Sequence, residues 1–191
     1  LRGDRRLRPR ADPGGQPVYR LGTHLTDDTR PFAERWGGWY VTGTHGQQRH
    51  MGNCILADES VSEKLDVAAG ANDTDLSSYF RIHPYLTPHS DIVALMVLEH
   101  QATMHNYLTA ANHSGRITMR DSDIMNKALE RPEGFESEST SRRFASAAEN
   151  VVRSLLFCDE AHLTDTVKGT SDFAAEFAAR GPFDSHGRSL R

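Results

Sequence analysis

Apolar positions along this chain are scattered until residue 92, and only from there do they fall into a helical rhythm. Residues 1–31 hold Pro9, Pro13, Gly14, Gly15 and Pro17 among five arginines (Arg2, Arg5, Arg6, Arg8 and Arg10), with no period, which predicts an irregular arm. The arginines suit either a polyanion contact or a solvated linker. Residues 32–56 gather Trp36, Trp39, Tyr40 and Val41 among Gly37, Gly38, Gly43, Gly46 and Gly52. So many glycines argue against a helix and predict two turns around a short extended piece at 39–42. Residues 57–90 are polar and read as loop.

The strongest helix follows at 91–112, with Thr87 or Ser90 as its cap and His113-Ser114-Gly115 as its stop. Its first turns, Ile92 to Leu98, are apolar on every side, which predicts a central, buried helix. A short helix is expected from 122 or 123 to 130. Another at 141–157 puts Phe144, Ala147, Ala148, Val151, Val152, Leu155 and Leu156 on one face. A fourth, 172–180, is capped by Ser171 and stopped by Gly181-Pro182. The expected fold is mainly α, about four helices with long ordered loops around the 91–112 helix and little or no sheet. The expected organisation is an arm at 1–31 and one helical domain at 32–191.

Composition narrows the function classes. The 191 residues include 22 Lys+Arg and 26 Asp+Glu, a net charge of -4 that argues against nucleic acid as a partner. A 37% hydrophobic share predicts a modest core. Two cysteines, Cys54 and Cys158, exclude a disulfide-dense scaffold and a four-Cys zinc site. No C-x-x-C-H is present, so haem cannot be attached covalently within the chain. The two cysteines pair only if the fold brings them together, and Cys158, after an apolar helix end, is expected to be buried. The longest apolar run falls far short of the roughly 18 residues that suggest a membrane span. The sequence starts at Leu1 without a signal-peptide pattern and ends abruptly, so it is expected to be a segment of a longer protein.

Ten histidines make metal chemistry worth testing. Six of them fall in the pairs His45/His50, His83/His89 and His100/His105, none at the i, i+4 spacing of a helical zinc motif. His100 and His105 lie about 140° apart around a helix and cannot face one ion together. Glu99 sits in the middle of the apolar helix, so its carboxylate must be paired or shifted in pKa. It can orient a ligand or act as an acid/base with His100, or pair with Arg35 or Arg49 and fasten the glycine block to the helix. His45, His50, Glu99 and His100 are the candidates for a metal-dependent enzyme using zinc or another divalent ion, which requires three of them to converge. Trp36 and Trp39 suit core packing, a porphyrin wall, or a platform for carbohydrate or a partner protein. His50 and Met51 are two haem-type axial ligands side by side, of which at most one can serve.

The stretch Arg35-Trp36-Gly37-Gly38-Trp39-Tyr40-Val41-Thr42-Gly43-Thr44-His45-Gly46, with Arg49-His50-Met51-Gly52-Asn53, resembles segments of large secreted bacterial proteins of planctomycete-like genomes, usually described as c-type-cytochrome-like. So do Pro88 to Gln101, Gly169 to Phe173 and Gly187 to Arg191, and the resemblance spans roughly residues 16–191. It implies an exported, periplasmic or secreted haem protein with electron-transfer or redox chemistry, its C-x-x-C-H lying outside this chain. The implied partners are the remainder of the polypeptide and a redox protein. On that reading Trp36, Trp39 and Tyr40 wall the haem, and His45, His50 or Met51 supplies an axial ligand.

Overall fold

The computed structural model describes residues 7–11, 17–54 and 66–189. As expected, the chain is mainly helical. In order come strands β1 (Leu7–Ala11) and β2 (Pro17–Leu25), a 3-10 turn at Phe32–Glu34, and helices α1 (Ile92–Ala128), α2 (Glu138–Leu155) and α3 (Phe173–Ala179). No helix is long and apolar enough to cross a membrane among the described residues.

The arm contains a strand pair rather than wholly irregular chain. β1 and β2 run antiparallel, Leu7 opposite Leu25 and Ala11 opposite Pro17, with a register shift between Pro9 and Arg10. A two-stranded ribbon has two edges, so the N–H that Pro9 lacks and a local irregularity are both tolerated. Arg2, Arg5 and Arg6 lie outside the described residues.

The expected 91–112 and 122–130 helices are one helix. His113-Ser114-Gly115 does not stop α1, because neither a left-handed cap nor a proline follows and α2 packs on this stretch. A Cβ on Gly115 would sit 3.8 Å from the Phe144 ring of α2, so the small residue marks the approach of two helices rather than an end. Its cap also differs: Asp91 Oδ1 accepts from the N–H groups of Val93 (2.8 Å) and Ala94 (3.1 Å). α2 starts three residues before the expected 141, capped by Ser137, whose side chain accepts from the Thr140 N–H.

The reading of one domain over 32–191 is subdivided into two compact units, 100–160 and 4–99 with 161–191. In the first, α2 lies antiparallel to the later part of α1, with Thr118 and Thr140 buried and Arg143 3.7 Å from Asp121. The second has its core in Phe32, Trp36, Val41 and Ile92, with Trp39, Leu95, Met96 and Val167 against it. The expected burial of the 91–112 helix holds only at its start. Ile92 is sealed, yet Leu98 is 55% exposed and Leu108 51%. The chain has too few apolar residues to wrap a helix that is apolar all round.

Candidate functional site

Every candidate in the glycine block falls within the second unit, where segments distant in sequence are tied to one another through polar groups. Residues 42–44 lie between two other stretches of backbone. Thr42 N–H donates to Ser90 O (2.7 Å) and Ile92 N–H to Thr42 O (2.8 Å), while Thr44 and Lys168 exchange bonds of 2.9 and 2.8 Å. Gly43 is required here, at φ 152°, because a Cβ would stand 2.3 Å from the Ile92 side chain and 2.7 Å from Lys168 O. Asp91 accepts from Ser171 N–H (2.8 Å) and hydroxyl (2.6 Å). Burial favours the protonated form of Asp91, but the bonds from Ser171, Ala94 and Val93 outweigh it and hold the carboxyl below its ordinary range.

Asn53 does for the block what a strand partner would do. Its Oδ1 accepts from Val41 N–H (2.7 Å), and its Nδ2 donates to Val41 O (2.7 Å) and Gly70 O (3.0 Å). Asn72 and Gln48 act alike: Asn72 Oδ1 accepts from His45 N–H (2.7 Å), and Gln48 Oε1 accepts from Thr164 N–H (3.0 Å) while its amide donates to Asp165 O (3.1 Å). Sequence reasoning missed these three residues and Asp91. Amides and carboxylates beside glycines are the signal that could have found them, since turn backbone needs side-chain partners.

The block's two histidines lie inside this framework, ring centroids 4.7 Å apart, against Phe32 and, for His50, Trp36. His45 is fully buried. Its Nδ1 is 2.9 Å from Gln48 O and its Nε2 accepts from Asn72 N–H at 3.0 Å. That pair of bonds fixes the neutral tautomer with the proton on Nδ1. In His50, Nδ1 accepts from Gly52 N–H at 3.0 Å, which places the neutral ring's proton on Nε2. Burial, then the neighbouring His45, lowers the His50 pKa to about 4, and burial lowers that of His45 too.

Glu99 is paired as its position demands. Its carboxylate accepts from Arg35 NH1 (3.1 Å) and from Trp36 Nε1, and Arg35 also donates to Arg30 O (2.9 Å) and Asp28 O (2.8 Å). The helix is thereby fastened to the glycine block through Arg35, not Arg49, whose guanidinium donates to Gly46 O and Gln48 O. Burial pushes the Glu99 pKa up to about 7, against the pull of Arg35.

The other candidates do not join this cluster. His100 belongs to the first unit, where it pairs with Glu160 (2.9 Å) and stacks on Phe157. His83 and His105 are exposed, and His89 Nδ1 is buried without a hydrogen-bond partner among the described residues. Met51 is buried, with its methyl group facing Gly37. Trp36 is 1% exposed, which removes it as a binding platform, and Trp39 is half-buried. Tyr40 is partly exposed and belongs to a run of rings, Tyr79, Tyr40, Phe80 and Tyr85, with neighbouring centroids 4.8–5.6 Å apart. Cys54 and Cys158 are not bridged, and Cys158 is exposed rather than buried because the chain past α2 runs along the surface.

His45 and His50 do not fit a haem or a metal ion in this arrangement. His45 has both ring nitrogens engaged with backbone, His50 has its one lone pair engaged, and of the three residues expected to wall a porphyrin Trp36 is enclosed by protein. Compared with known proteins, the chain matches no family model, no curated protein and no solved structure.

Proposed function

We propose that this chain is a docking segment of a larger exported protein, c-type-cytochrome-like as its glycine and helix segments suggest, with haem carried elsewhere in that protein. Its buried histidines serve the fold, and its work is done by its surface. One observation carries this reading. Among the described residues six large hydrophobic side chains are buried and seventeen are exposed, including Tyr85 (63%), Leu86 (107%), Leu155 (58%) and Leu156 (63%). On α2, Ala148, Val152 and Leu155 recur at i, i+4 and i+7 and form one exposed stripe. A surface so apolar, beside so small a core, suits coverage by another protein surface, first of all the remainder of the same polypeptide.

Sedimentation of the 191-residue chain with a dye that reports exposed apolar surface tests the reading. Dye binding and concentration-dependent association are expected, both reduced by Val152→Glu with Leu155→Glu at unchanged helix content. A chain that is monodisperse and dye-silent at all concentrations contradicts docking. Haemin titration tests the interior: a Soret band that disappears in His50→Gln or Met51→Ala would return the haem to this chain.

A further inference from the structure

The first unit contains a groove that the docking reading does not use. It lies between α1 and α2, open to solvent, with a volume of about 450 Å³, within the range of small-molecule sites. Ala110, Ala111 and Ala147 form part of its lining and leave an apolar trough where larger side chains would fill the space between the helices. Arg142 and Arg143 stand on its α2 side, and no carboxylate lines it among the described residues. Each guanidinium has an acidic neighbour, Glu138 and Asp121, but both contacts are 3.7 Å, beyond good hydrogen-bond length, so their N–H donors remain available. Ser139, whose hydroxyl bonds that of Ser137 (2.9 Å), also lines it, as do Tyr107, Ser114, Ser146 and Asn150, whose side chains make no hydrogen bond to other described residues. Two cations and four uncommitted polar groups thus surround an apolar trough.

We propose that this groove binds a small organic anion, its flat apolar body against the alanines and its carboxylate or phosphate held by Arg142 and Arg143. The two guanidiniums on the α2 side supply the forked donors that suit a planar or tetrahedral oxyanion. The trough selects against a bare ion, which would leave the apolar lining in contact with water.

The test is a two-dimensional NMR titration of the 191-residue chain with phenyl phosphate and, separately, inorganic phosphate. Saturable shifts confined to 107–114 and 139–150 are expected for phenyl phosphate, with affinity at least about tenfold above that for inorganic phosphate from burial of the ring. Arg142→Gln and Arg143→Gln should each weaken binding at least about fivefold, the scale of a lost charge-assisted bond. Arg153→Gln, on the same helix outside the groove, should change it less than about twofold. Ser146→Leu, which fills the trough without altering charge, should also abolish it, and thermal melts of all four variants check that the fold is kept. Scattered or non-saturating shifts, equal affinity for the two probes, or an equal loss in Arg153→Gln would each overturn the proposal in favour of adsorption by charge alone.

Discussion

The glycine block and the α1–α2 hairpin reach order by opposite means. Residues 41–53 have almost no regular structure, and their position depends on side chains that bond distant backbone: Asn53, Asn72, Gln48, Asp91 and the His45 imidazole. The hairpin has its backbone bonds within its own helices, buries Thr118 and Thr140 where the helices meet, and leaves leucines and methionines exposed. Polar side chains can therefore serve as the framework of a fold, and a histidine-rich stretch is not by that fact a metal site.

The comparison breaks most easily at Gly43. Gly43→Ala sets a methyl group into Ile92 and the Lys168 carbonyl, and a loss of about 3–5 kcal/mol in urea unfolding is expected. Asn53→Ala strands a buried N–H and two carbonyls and should cost about 3 kcal/mol, whereas alanine at an exposed hairpin asparagine such as Asn112 should cost almost nothing.

The pH dependence sharpens the same contrast. Glu99 has a folded pKa near 7, above its ordinary 4.5, so its contribution is complete below pH 4.5 and is lost as pH rises through 7. His50 is depressed from 6.5 to about 4, so its contribution is complete above pH 6.5 and is lost as pH falls towards 4. Over the shared window the two oppose each other, and His45, whose pKa burial also lowers, adds to the His50 side. Relative to the unmodified chain, Glu99→Gln should steepen the rise of stability with pH by about 2–3 kcal/mol, and His50→Gln should turn the profile towards a fall by a similar amount, each followed by urea unfolding from pH 4 to 8. Parallel profiles in the two variants would contradict the assignment.

Smaller effects belong to the hairpin. Gly115→Ala has room against Phe144 and should stabilise by about 0.5–1 kcal/mol in thermal unfolding, since glycine inside a helix carries that penalty. Val152→Glu should leave stability within about 0.5 kcal/mol while weakening self-association.

Helices were legible in the sequence because their signals are local. The period over 141–157 and the Gly181-Pro182 stop needed no tertiary information. Local reading also produced the errors. His113-Ser114-Gly115 looks like a stop unless the partner helix against Gly115 is known, and Pro9 conceals a ribbon that has only edges. At the candidate site the pairing of Glu99 with an arginine followed from burying a carboxylate in an apolar helix. The engagement of His45 by Asn72, 27 residues away, could not be read along the chain, because no pattern links an imidazole to a distant backbone N–H.

That the block's histidines belong to the fold can be tested by two-bond nitrogen–proton NMR of the imidazoles at neutral pH, before and after addition of zinc or haemin. Two neutral rings are expected, His45 protonated on Nδ1 and His50 on Nε2, with both spectra unchanged by either addition. A ring nitrogen of His45 or His50 that moves to a metal-bound shift, or loses its signal to a paramagnetic iron, would contradict it.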